Sequence, residues 1–322
     1  MNPRLPAPSR RLLLLGAAVA MALAWRALPV HAAELPADAT FKFTLQKRAE
    51  SPPDSGHYKI ITTPETWDAR RTAIIVCDMW DLHHCKNAVT RETEMAPRMN
   101  QVLNTARQAG ALIIHAPSSC MDFYKDHPAR KLAQSAPKAS NLPADIASWC
   151  RKIPAEEKGK YPVDQSDGGE DDNPAEHAAW ASHLTSLGLN PRAPWKRQID
   201  VLEIRDQDAI SDSGIEIWNL LEHRAIQHVI LLGVHVNMCV LGRPFGLRQL
   251  AKNGKHVVLM RDLTDSMYNP ARWPHVNHYR GTDLVIEHIE KFVAPTITSD
   301  QLLGGKPFVF STDPDHRGGK KP

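Results

Sequence analysis

Short, almost continuously apolar runs separated by helix-like segments constrain this chain more than any other feature. Thr72-Ala73-Ile74-Ile75-Val76-Cys77 ends at Asp78, and 111–116, 199–204, 229–234 and 256–260 have the same look. A strand that is apolar at nearly every position must be buried on both faces, which is the condition of a parallel sheet covered by helices. Between these runs, 96–108, 213–223, 245–252 and 283–292 carry helical spacing, and the first ends before Gly110, a residue suited to a helix C-terminus. The alternation predicts an α/β domain over 71–298, with helices on both faces of a mostly parallel sheet.

Three stretches fall outside this rhythm. Residues 34–70 read as an extended N-terminal arm with a turn-rich linker at 51–56, and 299–322 as a C-terminal tail. Residues 117–198 read as a long insertion after the second strand, of the kind that covers one end of a sheet. Its acidic run Asp164-Gln165-Ser166-Asp167-Gly168-Gly169-Glu170-Asp171-Asp172 reads as a solvated loop whose spacing misses that of a calcium-binding loop. Arg4, Arg10 and Arg11 precede an apolar run from Leu12 to Trp25 and then small residues to Ala33. That order predicts a signal peptide over 1–33 and a secreted or periplasmic protein, and Ser9-Arg10-Arg11-Leu12-Leu13 resembles a twin-arginine signal. With 39 basic against 36 acidic residues, no nucleic-acid surface is implied, and no membrane association once the leader is removed. Five cysteines are an odd number: Cys77 reads as core, and Cys85, Cys120 and Cys150 could supply one disulfide.

Ligands of such sheets bind beyond the carboxyl ends of the strands. That rule selects Asp78, His115, Glu203 to Arg205, Val234 to Cys239, and Arg261-Asp262. A thiol at Cys239, just past a strand, could meet free N–H groups at a helix start and have its pKa lowered. Pro244 leaves open that Cys239 sits in the loop before that helix, where it would need a neighbouring base. Asp78 could take the thiol's proton and later deliver it to a leaving group. By position alone the same two residues also read as a buried cysteine and a turn-capping aspartate.

Gly233-Val234-His235-Val236-Asn237-Met238-Cys239-Val240 resembles the nucleophile motif of the isochorismatase-like cysteine hydrolases, which include nicotinamidases, N-carbamoylsarcosine amidohydrolases and isochorismatases. Ile74 to Asp81 resembles their first strand and catalytic Asp, Asp208-Ala209-Ile210 their Ser-Ala-Phe element, and Val258 to Ser266 a later strand ending in Asp. The likeness covers about residues 70–116 and 199–293. It implies a three-layer α/β/α fold with a six-stranded, mostly parallel sheet, and a cis peptide at Val234–His235. It also implies Cys239 as nucleophile, Asp78 as base and then acid, and the backbone N–H groups of His235 and Cys239 as an oxyanion site. The family's lysine falls here at Ile204, so its place would pass to Arg205, to Glu203 with altered chemistry, or to Lys125 or Lys196 from the insertion.

Trp80, Asn237, Arg243 and Tyr268 stand where a small-molecule substrate would be contacted, Arg243 as a possible partner for a substrate carboxylate. Asp81, His83 and His84 are candidates for a divalent metal, although no cofactor is required by the chemistry. The expected activity is hydrolysis of a small amide, carbamoyl or related C–N substrate. Two alternatives stand beside it: vinyl-ether hydrolysis with Asp78 as acid, and a catalytically inactive binding module. The resemblance implies a homo-oligomer.

Overall fold

The computed structural model describes Met1 and residues 39–315, so the leader read over 1–33 lies outside the described residues but for Met1. No helix among them is long and apolar enough to cross a membrane. One sheet runs through the domain. Its strands are β1 (Thr40–Glu50), β2 (Tyr58–Asp68), β3 (Thr72–Cys77), β4 (Leu112–Ala116), β5 (Ala209–Ile210), β6 (His228–Val234), β7 (His256–Asp265) and β8 (Thr296–Ile297). Their order is β2-β1-β8-β7-β6-β3-β4-β5, with β1 antiparallel to both neighbours and the other pairs parallel.

The sheet therefore has eight strands rather than six. The extended arm supplies two of them, as a hairpin added at one edge. The run 199–204 is not a strand. Its inward residues Ile199 and Leu202 are three apart and joined by a turn, while Val201 between them is exposed. Strand pairing waits until Ala209 and Ile210, which lie beside β4. Past residue 298 the tail also stays with the domain: Ser299 is buried, and its N–H and that of Phe308 bond the Asp262 carboxylate.

Alternate strand residues face opposite sides. Ile75, Cys77, Ile114, Leu231 and Leu259 pack under α4 (Gly214–His223), α5 (Leu247–Lys252) and α6 (His278–Phe292). Ile74, Val76, Ile113, Ile230, Leu232 and Val258 pack under α1 (Lys86–Gln108) and the hairpin aromatics Phe41, Phe43 and Trp67. These are the two helix-covered faces the apolar strands demanded. Helix α1 begins ten residues before the helical spacing is evident in the sequence, because its buried face there carries Arg91 and Glu92 instead of apolar residues. The insertion adds α2 (Pro128–Ser135) and α3 (Pro174–Ser186), and α7 (Asp300–Leu303) follows β8.

All five cysteines are free and buried, so the expected disulfide among Cys85, Cys120 and Cys150 is absent. Each is engaged where it stands: Cys85 with Asp171 and Asp172, Cys120 with the Ser118 carbonyl, Cys150 with the Lys152 carbonyl.

Candidate active site

From β3 the chain moves outward to β4 and β5, then returns to place β6 on the other side of β3. The gap where the two directions part is where an open α/β sheet offers a crevice. Asp78 leaves β3 there, and Cys239 follows β6. Gly233 lets the two strands close up: at φ 102° it faces Cys77, and a Cβ on it would stand 2.1 Å from the Cys77 carbonyl oxygen.

Asp78 is fully buried and in the left-handed region, φ 47°, a conformation Asp tolerates better than most residues. Its Oδ1 accepts the Ser118 N–H at 2.8 Å. Its Oδ2 faces Arg243, with Nε at 3.2 Å and Nη2 at 3.1 Å. The Cys239 thiol lies against both the carboxylate and the guanidinium. Cys239 sits in a π turn, Val236–Val240, that follows the cis peptide Val234–His235; the Met238 and Val240 N–H groups both bond the His235 carbonyl.

Electrostatics in this pocket favour protons over charge. Burial raises the Asp78 pKa above the usual carboxylate range, although Arg243, Cys239 and Ser118 all oppose the rise. Burial and the neighbouring Asp78 push the Cys239 thiol well up, against the pull of Arg243. The thiol is only 7 % exposed. Of the two positions left open by the sequence, Cys239 takes the one ahead of α5, in the turn, where desolvation and the facing carboxylate raise its pKa rather than a helix start lowering it.

The cation beside Asp78 is Arg243. Arg205 is 47 % exposed and paired with Glu203 and Asn104 near α1. Arg205 and Glu203 thus satisfy each other at the surface, and Lys125 and Lys196 are exposed as well. Arg243 was read as a substrate contact, yet its spacing held the clue: it lies four residues after Cys239, and its N–H bonds the Cys239 carbonyl at 3.0 Å. Helical residues four apart share a face. Its guanidinium is 20 % exposed and stacks over the Trp149 ring, 4.8 Å to the centroid.

Other candidates hold the loops together. Trp80 stacks on Trp195 with centroids 4.5 Å apart, and its indole N–H donates to the Ser118 carbonyl. Asn237 exchanges two hydrogen bonds with the Met267 backbone, and buried Tyr268 donates to the Arg272 carbonyl. Asp81 accepts the Lys196 and Arg197 N–H groups, and His83 Nδ1 accepts the Cys85 N–H while its ring stacks with Trp195. Asp81 and His83 Nδ1 thus hold backbone N–H groups, the buried His84 Nδ1 has no hydrogen-bond partner, and the three do not gather as a ligand group among the described residues. His115 is held by Gln198 and Asp208, and Asp208 is bonded to Arg107.

Behind the π turn lies a buried polar pair that the sequence did not signal. Both Glu92 carboxylate oxygens and His235 Nε2 lack hydrogen-bond partners, and they stand 3.6 Å apart. Burial lowers the His235 pKa to about 3, so its imidazole is neutral. Burial raises that of Glu92 well up, with Asp265 adding to the rise. A carboxyl raised on folding stabilises fully below its unfolded pKa, about 4.3, and loses that contribution as pH rises through the folded value. Glu92→Gln, which cannot ionise, should therefore gain stability relative to the parent as pH rises from 4 to 9. Parallel melting temperatures over that range would show that Glu92 does not titrate this way.

A cavity of about 420 Å³ opens on one side of the π turn. Trp149, Tyr161, Asn237, Met238, Gly242 and Arg248 line it. Neither Asp78 nor Cys239 reaches its wall; Trp149, stacked on Arg243, connects the two regions.

No protein-family model and no curated protein matches the sequence. Solved structures similar to it include a cysteine hydrolase from Pseudomonas syringae pv. phaseolicola 1448A, at 16 % identity over 74 % of this chain and 93 % of that one, with a TM-score of 0.44. An isochorismatase from Pseudomonas putida KT2440 is similar at 10 % identity over 72 % and 90 %, TM-score 0.39. An isochorismatase family protein from Burkholderia thailandensis is similar at 13 % identity over 61 % and 79 %, TM-score 0.31.

Proposed function

We propose that the chain is an exported cysteine hydrolase acting on a small amide, carbamoyl or related C–N substrate. One observation carries this reading: the buried thiol of Cys239 and carboxylate of Asp78 meet the half-buried guanidinium of Arg243 at the switch point of the sheet.

Asp78 takes the thiol proton as sulfur attacks the substrate carbonyl carbon, and the oxyanion is received by the N–H groups of His235 and Cys239. The C–N bond then breaks, with Asp78 returning that proton to the departing nitrogen. Water, deprotonated by Asp78, attacks the thioester; the acid leaves and the thiol regains its proton. Arg243 keeps the Asp78 carboxylate ionised enough to act as base.

The test is ammonia or amine release from a panel of small amides and carbamoyl compounds. It is read together with intact-mass detection of an acyl adduct mapped to Cys239. Arg243→Met should cut kcat/KM by roughly 10²–10³-fold, the scale of losing a preorganised charge, and move the acid limb of the pH profile upward. Arg243→Lys should restore part of the rate. An unchanged profile in Arg243→Met would remove the arginine from the mechanism.

The raised pKa of Asp78 favours one second reading. A protonated Asp78 could serve as general acid for vinyl-ether cleavage, with Cys239 dispensable.

A further inference from the structure

The acidic run was expected to be solvated, but its last residues turn inward. The Asp172 side chain is only 1 % exposed. Its carboxylate accepts the Lys86 and Asn87 N–H groups at 2.8 Å each, which caps α1. Cys85, the residue before α1, is buried, with its sulfur 3.4 Å from Asp172 Oδ1. Glu170 completes a group in which the Cys85 sulfur and one oxygen of each acid lie within 4.8 Å of one another. His177, on the first turns of α3, brings a fourth donor type: its Nδ1 lies 3.6 Å from Asp172 Oδ2 and touches Glu170 Oε1.

That last contact is the telling one. His177 Nδ1 and Glu170 Oε1 are both buried atoms, they face each other, and neither has a hydrogen-bond partner. Such a contact is satisfied either by a proton on the imidazole nitrogen or by a cation held between the two atoms. Among the described residues, Cys85, Glu170 and Asp172 are the cysteine and carboxylate donors that gather closely enough to share an ion, and His177 lies at their edge.

We propose that Cys85, Glu170, Asp172 and His177 bind one divalent transition-metal ion of the zinc class. The donor set is one sulfur, one imidazole nitrogen and two carboxylate oxygens, which suits zinc and argues against calcium, a cation of all-oxygen sites. With Zn–S near 2.3 Å and Zn–N or Zn–O near 2.0–2.2 Å, a tetrahedron has edges of roughly 3.3–3.8 Å. The 3.4 Å from the Cys85 sulfur to Asp172 Oδ1 is such an edge, whereas His177 touches Glu170 too closely for two ligands of one ion, so its ring must turn away from the glutamate to bind. The α1 N–H groups on Asp172 are the hydrogen bonds that orient a ligating carboxylate. The ion would join the insertion, through Glu170, Asp172 and α3, to the start of α1, and displace the Cys85 thiol proton to solvent.

The experiment uses the full chain, stripped by chelator and titrated with zinc under reducing conditions. One equivalent should bind, with a rise of several degrees in melting temperature. Cobalt in its place should give a thiolate-to-cobalt charge-transfer band. His177→Ala, a change on a partly exposed helix that the fold should tolerate, should weaken binding at least about tenfold. Cys85→Ser should abolish the charge-transfer band, while Cys239→Ala should retain it. Failure of the wild-type chain to take up one equivalent overturns the proposal. So does affinity unchanged in His177→Ala, or a band that survives Cys85→Ser or is lost in Cys239→Ala.

Discussion

Cys239→Ala should lower amide turnover by at least about 10⁴-fold and leave the fold intact, since loss of a nucleophile is among the largest single-residue effects in hydrolases. The site predicts more than the loss itself. Because burial and Asp78 hold the thiol protonated, the resting enzyme should alkylate slowly at Cys239, more slowly than a free thiol at the same pH. Asp78→Asn should abolish turnover to a similar extent, by removing the carboxylate that faces the thiol and accepts its proton. The two losses should be far from additive, as expected of groups acting as a unit. A kinetic comparison of the three variants also separates the readings. Full activity toward a vinyl ether in Cys239→Ala, lost in Asp78→Asn, would replace the thioester mechanism with acid catalysis. Indifference of any measured function to both changes would leave a binding module.

Asp265→Asn should destabilise the domain by about 3–5 kcal/mol, the cost of leaving buried charge without its partner. Asp265 lies at the end of β7, bonded to Arg91 of α1 at 2.7 Å and to His278 of α6 at 2.8 Å. Arg91 and His278 also reach Asp171 of the insertion, at 2.8 Å and 3.2 Å. Four separate parts of the chain thus meet in one buried ionic knot. With Asp171 left to compensate both cations, the melting temperature should fall by the order of 10 °C. The pH dependence is a second signature. Burial acts to lower the His278 pKa, but Asp265 and Asp171 outweigh it and lift it to about 9. A histidine raised on folding contributes fully below its unfolded value near 6.5, and that contribution fades as pH rises through about 9. Denaturant melts from pH 6 to 10 should show this decline in the parent and little of it in Asp265→Asn. A flat parental curve would mean that His278 is not charged in the fold.

What was legible in the sequence followed from burial on both faces. β3, β4, β6 and β7 were readable because nearly every residue in them is apolar, and Asp78 and Cys239 because strand ends are where such sheets present side chains. The misses have a common cause: residues whose role depends on partners distant in the chain. Ile199 and Leu202 look like strand residues but serve as plugs from a loop. Arg91 and Glu92 hide the start of α1 because their partners, Asp265, Asp171 and His235, are remote in sequence. Arg205 was favoured over Arg243 by adjacency to a motif, whereas the charge that faces Asp78 comes from the nucleophile's own turn.

The place of the first hairpin has a consequence for how the chain acquires its shape. β1 and β2 are the first described strands to be synthesised, yet the hairpin joins the sheet through β8, by the Gln46–Thr296 pairing. The same edge is fastened by Gln46 and Arg48 on Glu290 and by the Thr44 N–H on Gln301. A ribosome must therefore deliver some 230 residues beyond Asp68 before the hairpin can pair with β8, and closure of so long a loop is slow. Until then Phe41, Phe43 and Trp67 have no finished core to enter. The earliest strands should be the last to gain protection from hydrogen exchange, and the growing chain should depend on holdase chaperones to shield them.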